Sequence, residues 1–376
     1  PPPKAQTIPS RLKQFLIYTA RDFRSKISNR QYIILNLLET PILAFILAYV
    51  IRYIPDPNSD VYVFRDNENI PIYIFMSLIV ALFIGLTVSA EEIFKDRKIL
   101  KREKFLNLSR TSYLLSKVFI LLVLSAIQTL SFVLIANSIL SLLGLNLQYW
   151  LILFSTAVCA NLIGLNISQT FNSAVTIYIV IPLLMIPMMV LSGAMFSFDK
   201  LNRSVGSFDR VPLIAEFMPT KWGYEALVVL QFKDNEFQKH FYQIEKGERN
   251  ANYKLVYYIP ELEKRLQYCI DHVNSQDSAE VRERMKEALA VLRRGIGQEM
   301  TVFAPEVPFE YLRNLRPDSV DEVALYETVG YLEALKEHYN EIFQAKNQQR
   351  DAIVNHLVAT QPRLYEAKRN AYHNES

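Results

Sequence analysis

The chain is poor in the residues that thiol and metal chemistry need. It has two cysteines and five histidines in 376 residues, and neither an H-E-x-x-H pair nor clustered Cys and His at zinc spacing occurs. No G-x-x-x-x-G-K-[ST] loop is present, so no phosphate cradle of that kind is built here. Nothing in the sequence argues for a Ser-His-Asp or Cys-His nucleophile. Cys159 falls in an apolar run and Cys269 in a polar one, which leaves Cys269 as a buried thiol or an intermolecular bridge. The most telling lack is charge. From Val118 to Phe198, 81 residues contain no Asp, Glu, Lys or Arg, which is enough for three membrane helices of about 20 residues each.

Breaks at "SLLGLNLQY" and "SQTFNS" divide this run into Val118 to Leu140, Trp150 to Ile167 and Ala174 to Phe196. Two more spanning stretches precede it, Tyr32 to Ile54 and Ile70 to Ala90. The expectation is an all-α chain with five spans. Residues 1–31 carry seven basic residues and one acid, the loop at 52–70 two and four, and 91–117 eight and four. Excess Lys and Arg marks the cytoplasmic side, so the N-terminus and 91–117 are expected inside, in the plasma (inner) membrane, and everything after Phe198 outside. No secretory signal precedes the first span, which must act as its own anchor.

The chain opens on a proline-rich linker over 1–9 with no initiator Met, as a cropped or processed chain would. In 10–31, Leu12, Phe15, Leu16 and Ala20 lie near one helix face with Arg and Lys around the other, the pattern of a helix in the membrane interface. Residues 32–198 form the expected transmembrane domain, 199–232 an outer segment and 233–376 a second, mostly helical domain. In the latter, Ser319 and Glu322 fit a capping box, as do Asp277 and Glu280. Its charge runs are most simply solvated helix faces. Glu39, two positions before Pro41 in the first span, is open to three readings: an ion pair with the charged segment 89–103, solvation at the interface, or a role in transport. Met185, Met188 and Met189 suit an adaptable apolar surface, either a greasy passage or plain helix packing.

The stretch "SAEEIFKDRKILKRE" (89–103) packs nine charges into fifteen positions. Its acids do little for topology, so a helix that docks on another protein is expected within 89–117. Continued to residue 122, as "SAEEIFKDRKILKREKFLNLSRTSYLLSKVFILL", it resembles the segment joining the second and third spans of ABC exporters of the G-subfamily type. Arg102, Glu103, Tyr113 and Lys117 occupy its Arg-Glu pair, Tyr and Lys. "PMMVLSGAMF" is similar to that family's fifth-span ending at Leu191, Ser192 and Gly193, and "EFMPTKWGYEAL" to the segment just outside it at Pro219, Tyr224, Glu225 and Ala226, with the Tyr spacing altered.

The resemblance, covering about residues 10–232, implies the membrane part of an ATP-driven exporter. Two copies pair, an alternating cavity between them serves a lipid-like or amphipathic substrate in contact with membrane lipid, and ATP-binding cassettes outside this chain hold ATP and Mg. It implies that the coupling segment, with Glu91, Glu92, Arg97, Arg102, Glu103 and Tyr113, passes cassette motion to the spans. Gly193 then permits close approach near the outer gate, and 212–230, broken by Pro219 and Gly223, forms a re-entrant hairpin. A sixth span is expected beyond Ser376 and a cassette before Pro1. No cofactor or metal within the chain and no nucleic-acid partner is expected. The alternative is a non-transporting anchor that presents an exterior helical binding module.

Overall fold

A computed structural model describes residues 9–55, 62–103, 109–142, 144–202, 210–273, 279–317 and 319–372, with the side chain of Glu103 outside that set. The regular secondary structure of the described residues is helical, and they include no strand. They divide into two compact units, residues 1–238 with 368–376, and residues 239–367.

Among the described residues, the first unit is built from α1 (Arg11–Ser28), α2 (Arg30–Ile51), α3 (Ile70–Ala90), α4 (Glu92–Glu103), α5 (Arg110–Ile139), α6 (Asn146–Thr170), α7 (Ala174–Val190), the short α8 (Leu213–Glu216) and α9 (Pro219–Lys233). Four are long and apolar enough to cross a membrane: α2, α3 with its continuation into α4, α5 and α6. The fifth expected span, α7, is 17 residues long, about 26 Å at 1.5 Å per residue. It stops where Leu191, Ser192 and Gly193 turn the chain, Gly193 taking φ of +77°. That left-handed backbone suits glycine, and a Cβ there would sit 3.1 Å from the Phe198 ring. The Gly193 contact is a local chain reversal onto a residue five positions on.

Small residues let α3 and α6 pack closely. A Cβ on Gly85 would stand 2.7 Å from the Ala157 carbonyl oxygen, and one on Gly164 would overlap Ser89 Oγ. In lipid, where no hydrophobic force pulls helices together, close backbone approach and interhelical hydrogen bonds supply the cohesion. Tyr73 OH donates to Asn137 Oδ1 (2.7 Å), Asn161 Nδ2 to Ser125 Oγ (2.7 Å), Tyr149 OH to Gln231 Oε1 (3.0 Å) and Gln128 Nε2 to the Asn36 carbonyl (2.9 Å). The apolar side chains Leu12, Leu35, Val50, Val175, Leu183 and Phe217 are exposed, as lipid-facing positions are. Lys368 pairs with Glu236 at 3.0 Å and Tyr372 OH donates to the Ser141 carbonyl at 3.1 Å, so the last described helix, α14 (Pro362–Tyr372), ends against the α5–α6 turn.

The second unit contains α10 (Tyr242–Tyr253), α11 (Ile259–His272), α12 (Ala279–Gln298), α13 (Glu322–Thr360) and the start of α14. Its core joins Leu262, Leu266, Leu289, Leu292, Leu332 and Leu335. Cys269 is buried in that core, and burial pushes its thiol up to about 11. Two π-helical turns, Lys254–Tyr258 and Glu299–Phe303, carry a buried ion pair between Lys254 Nζ and Glu299 Oε1 at 2.5 Å. Tyr339 OH donates to the other Glu299 oxygen at 2.6 Å, and Lys254 lies 3.8 Å from the Tyr258 ring centroid. Burial, then the charge of Glu299, pushes the Tyr258 phenol up to about 12. The capping box expected at Ser319 and Glu322 is replaced by Asp321, whose side chain accepts from Ala324 N at 2.8 Å and so caps α13 directly before Glu322. Asp277 lies outside the described residues.

Candidate functional site: a buried charged cluster joining α1, α4 and α5

Three helices each contribute side chains one turn apart: Asp22 and Lys26 from α1, Glu92 and Asp96 from α4, Tyr113 and Lys117 from α5. Residues four apart share a helix face, so three charged faces converge. Lys117, 3% exposed, is at the centre. Its ammonium reaches Asp22 at 2.7 Å, Asp96 at 2.9 Å and Glu92 at 3.0 Å. Glu92 also binds Lys26, and Tyr113 OH donates to Asp96 at 3.0 Å. The rings of Tyr18 and Tyr113 meet edge to face at 5.5 Å.

Two lysines face three carboxylates. Glu92 lies in the first turn of α4, whose dipole favours negative charge there, and Asp22 Oδ2 accepts no hydrogen bond among the described residues. The cluster is out of water, where removing one partner of a charge pair is strongly destabilising. It thus fastens α1 and α4 to the start of α5. Backbone contacts reinforce the α1 side, where Gln14 Oε1 accepts from Ser109 N at 2.8 Å and Ser112 Oγ donates to the Arg11 carbonyl at 2.9 Å.

The other flank of α4 is bound to the end of α6. Ser168 Oγ accepts from the backbone N–H of Ile93 (3.0 Å) and Phe94 (2.9 Å), which would otherwise be unpaired at a helix start. Arg97 donates to the carbonyls of Ser168 (3.1 Å) and Gln169 (2.6 Å) and to Asn172, so a cation meets the negative end of α6. Glu91 accepts from Tyr178 of α7 and pairs with Lys95. What α4 leaves outward is Lys95, Lys98, Ile99, Lys101 and Arg102.

The expected coupling residues therefore separate by role. Glu91, Glu92, Arg97 and Tyr113 bind within the chain, Arg102 is exposed, and the side chain of Glu103 and all of Lys104 lie outside the described residues. Glu39 forms no ion pair among the described residues. It is half-buried on α2, and the lysines of 89–103, Lys95, Lys98 and Lys101, are exposed. Met185 and Met188 are buried in one cluster with Leu82, Leu86 and Ile167, and Met189 is partly buried. Pro219 opens α9, Tyr224 meets Phe75 edge to face at 6.4 Å, and Glu225 pairs with Lys221 at 3.1 Å.

Sequence reasoning missed Asp22, Lys26 and Ser168. The first two stand four residues apart on an amphipathic helix, a visible signal, but their partners are 66 and 95 residues away. Among the described residues no group of His, Cys, Asp and Glu is arranged to hold a metal ion.

The ABC-2 type transporter family matches residues 13–232. The chain belongs to the ABC-2 type transporters. An ABC transporter ATP-binding/permease protein of Mycobacterium tuberculosis is 26% identical over 234 residues, which cover 58% of this chain and 25% of that protein. This permease domain is thus membrane-embedded, and the chain spans about a quarter of the length of that relative. The charged cluster lies wholly inside the family match, from Asp22 to Lys117.

Proposed function

We propose that the chain is the membrane half of an exporter in which α1 and α4 transmit cassette motion to the spans. The observation that carries this reading is Lys117, whose ammonium ties acids of both α1 and α4 to α5. A packed charged junction has few intermediate arrangements, so a push on α4 is delivered to α5 as a body displacement and not absorbed by bending. The outward face of α4, with Lys95, Lys98, Ile99 and Arg102, is the side left for a cassette that binds ATP and Mg, and Glu103 belongs to the same end of α4. Two copies of the chain pair around the transport route, with the N-terminus cytoplasmic, the membrane being the inner one, and residues 199–376 outside.

The apolar character of the spans favours a lipid-like or amphipathic substrate, and family membership favours transport over a non-transporting anchor. The test is made on the full natural protein in lipid vesicles, following ATP hydrolysis and ATP-driven movement of a fluorescent phospholipid together. Lys117→Met is expected to keep hydrolysis while movement falls about tenfold, a coupling loss of about 1.4 kcal/mol. Unchanged movement in that variant would remove the role assigned to the cluster. Absence of lipid movement in the wild type would remove the substrate class.

A further inference from the structure

Beside the charged cluster, α1, α2 and α5 enclose a fissure of about 250 Å³. An apolar cavity of about 150 Å³ already holds a benzene, so the space admits part of a chain molecule. Each helix lines it with a pair four residues apart: Phe23 and Ile27, Ile33 and Leu37, Val123 and Ile127. The polar side chains at its wall are engaged elsewhere. Lys26 binds Glu92, Thr19 Oγ1 donates to the Phe15 carbonyl at 2.9 Å, and Asn36 Nδ2 donates to the Tyr32 carbonyl at 2.8 Å. What remains on offer along the wall is hydrocarbon.

Charge gathers at one end. Arg24 stands three residues before Ile27 on α1, and Arg30 three before Ile33 on α2, so each guanidinium shares a helix stripe with a wall residue next to the α1–α2 corner at Asn29. Both are exposed, and neither forms an ion pair among the described residues. Hydrocarbon walls, with two exposed guanidiniums next to the α1–α2 corner that form no ion pair among the described residues, match one chemistry, an acyl chain carrying an anionic headgroup.

We infer that this fissure is a binding site for one anionic phospholipid, with an acyl chain between α1, α2 and α5 and the phosphate at Arg24 and Arg30. The site rests on the membrane reading of α1, but it stands apart from transport: a lipid held between α1 and the two spans wedges the joint that the charged cluster clamps.

Native mass spectrometry of the full protein, stripped of lipid and then exposed to vesicles of equimolar phosphatidylglycerol and phosphatidylcholine, reads the site directly. One tightly retained lipid per chain is expected, with phosphatidylglycerol favoured about fivefold. Val123→Trp, which fills the fissure from α5, is expected to abolish retention, whereas Val50→Trp on the exposed face of α2 leaves it unchanged. Arg30→Gln, a surface change that cannot disturb the core, is expected to keep the lipid and lose the headgroup preference. Equal retention in Val123→Trp and wild type, or no preference in the wild type, would overturn the site and leave ordinary lipid contact. A protein that holds the lipid but shows no loss of coupling in Lys117→Met loses the transmission reading alone, and one that couples but holds no lipid loses this inference alone.

Discussion

Lys117 shows how a single side chain acquires its meaning from three segments distant in sequence. Its methylene stem lies in α5 and its ammonium faces three carboxylates, so replacing it by Met leaves three acids at short range with Lys26 as their one remaining lysine in the cluster. Loss of a buried partner costs about 3–5 kcal/mol, and thermal unfolding in detergent is expected to show Lys117→Met destabilised on that scale. Glu299→Gln tests the same physics in the second unit, where Lys254 would keep its charge among Tyr258 and Phe303 without a counter-ion. A drop of similar size, read as earlier protease cleavage within 239–367, is the expected outcome. The acids and bases of both clusters are visible in the sequence, but their pairing is not. In the sequence Glu92 is one of nine charges in fifteen positions, with nothing to set it apart; only the register of α4 against α5 turns it inward.

At the scale of elements, hydropathy and turn chemistry were informative because they are local. Four apolar helices stand where apolar runs of spanning length occur, although α5 begins eight residues before its run, at Arg110. The shortening of α7 was harder to see, since "LSGAMF" is as apolar as the helix before it; a single left-handed glycine decides the end. Packing between elements was not legible at all. Gly85 and Gly164 look like ordinary membrane glycines, yet they set the distance between α3 and α6. Gly85→Ala is expected to force the α3 and α6 backbones apart and cost about 1–3 kcal/mol in thermal stability. Gly330, in α13, has open space at its Cβ position. Gly330→Ala is expected to stabilise the second unit by about 0.5–1 kcal/mol, through helix propensity alone.

For the whole molecule, α1 and α4 lie against the start of α5, while α14 returns to the turn between α5 and α6 at the other end of that helix. The two ends of α5 therefore serve different tasks, one held by charge and one by the chain's final described helix. The outward face of α4 carries a prediction of its own. Ile99, 43% exposed and flanked by Lys95, Lys98 and Arg102, is a surface apolar residue whose loss costs the fold little. Ile99→Asp is expected to leave thermal stability within about 0.5 kcal/mol while weakening cassette binding, measured as cassette recovered with the membrane part when the two are expressed as separate chains.

The central claim is that α1, α4 and the start of α5 move as one body. Pulsed electron spin resonance between labels at Lys13 on α1 and Lys98 on α4, with and without trapped nucleotide, measures it without knowledge of the substrate. The account predicts a distance that shifts by less than about 2 Å, while the distance from Lys98 to Leu147 at the far end of α6 changes between the two states. A Lys13 to Lys98 distance that changes by about a helical turn, ~5 Å or more, would contradict it.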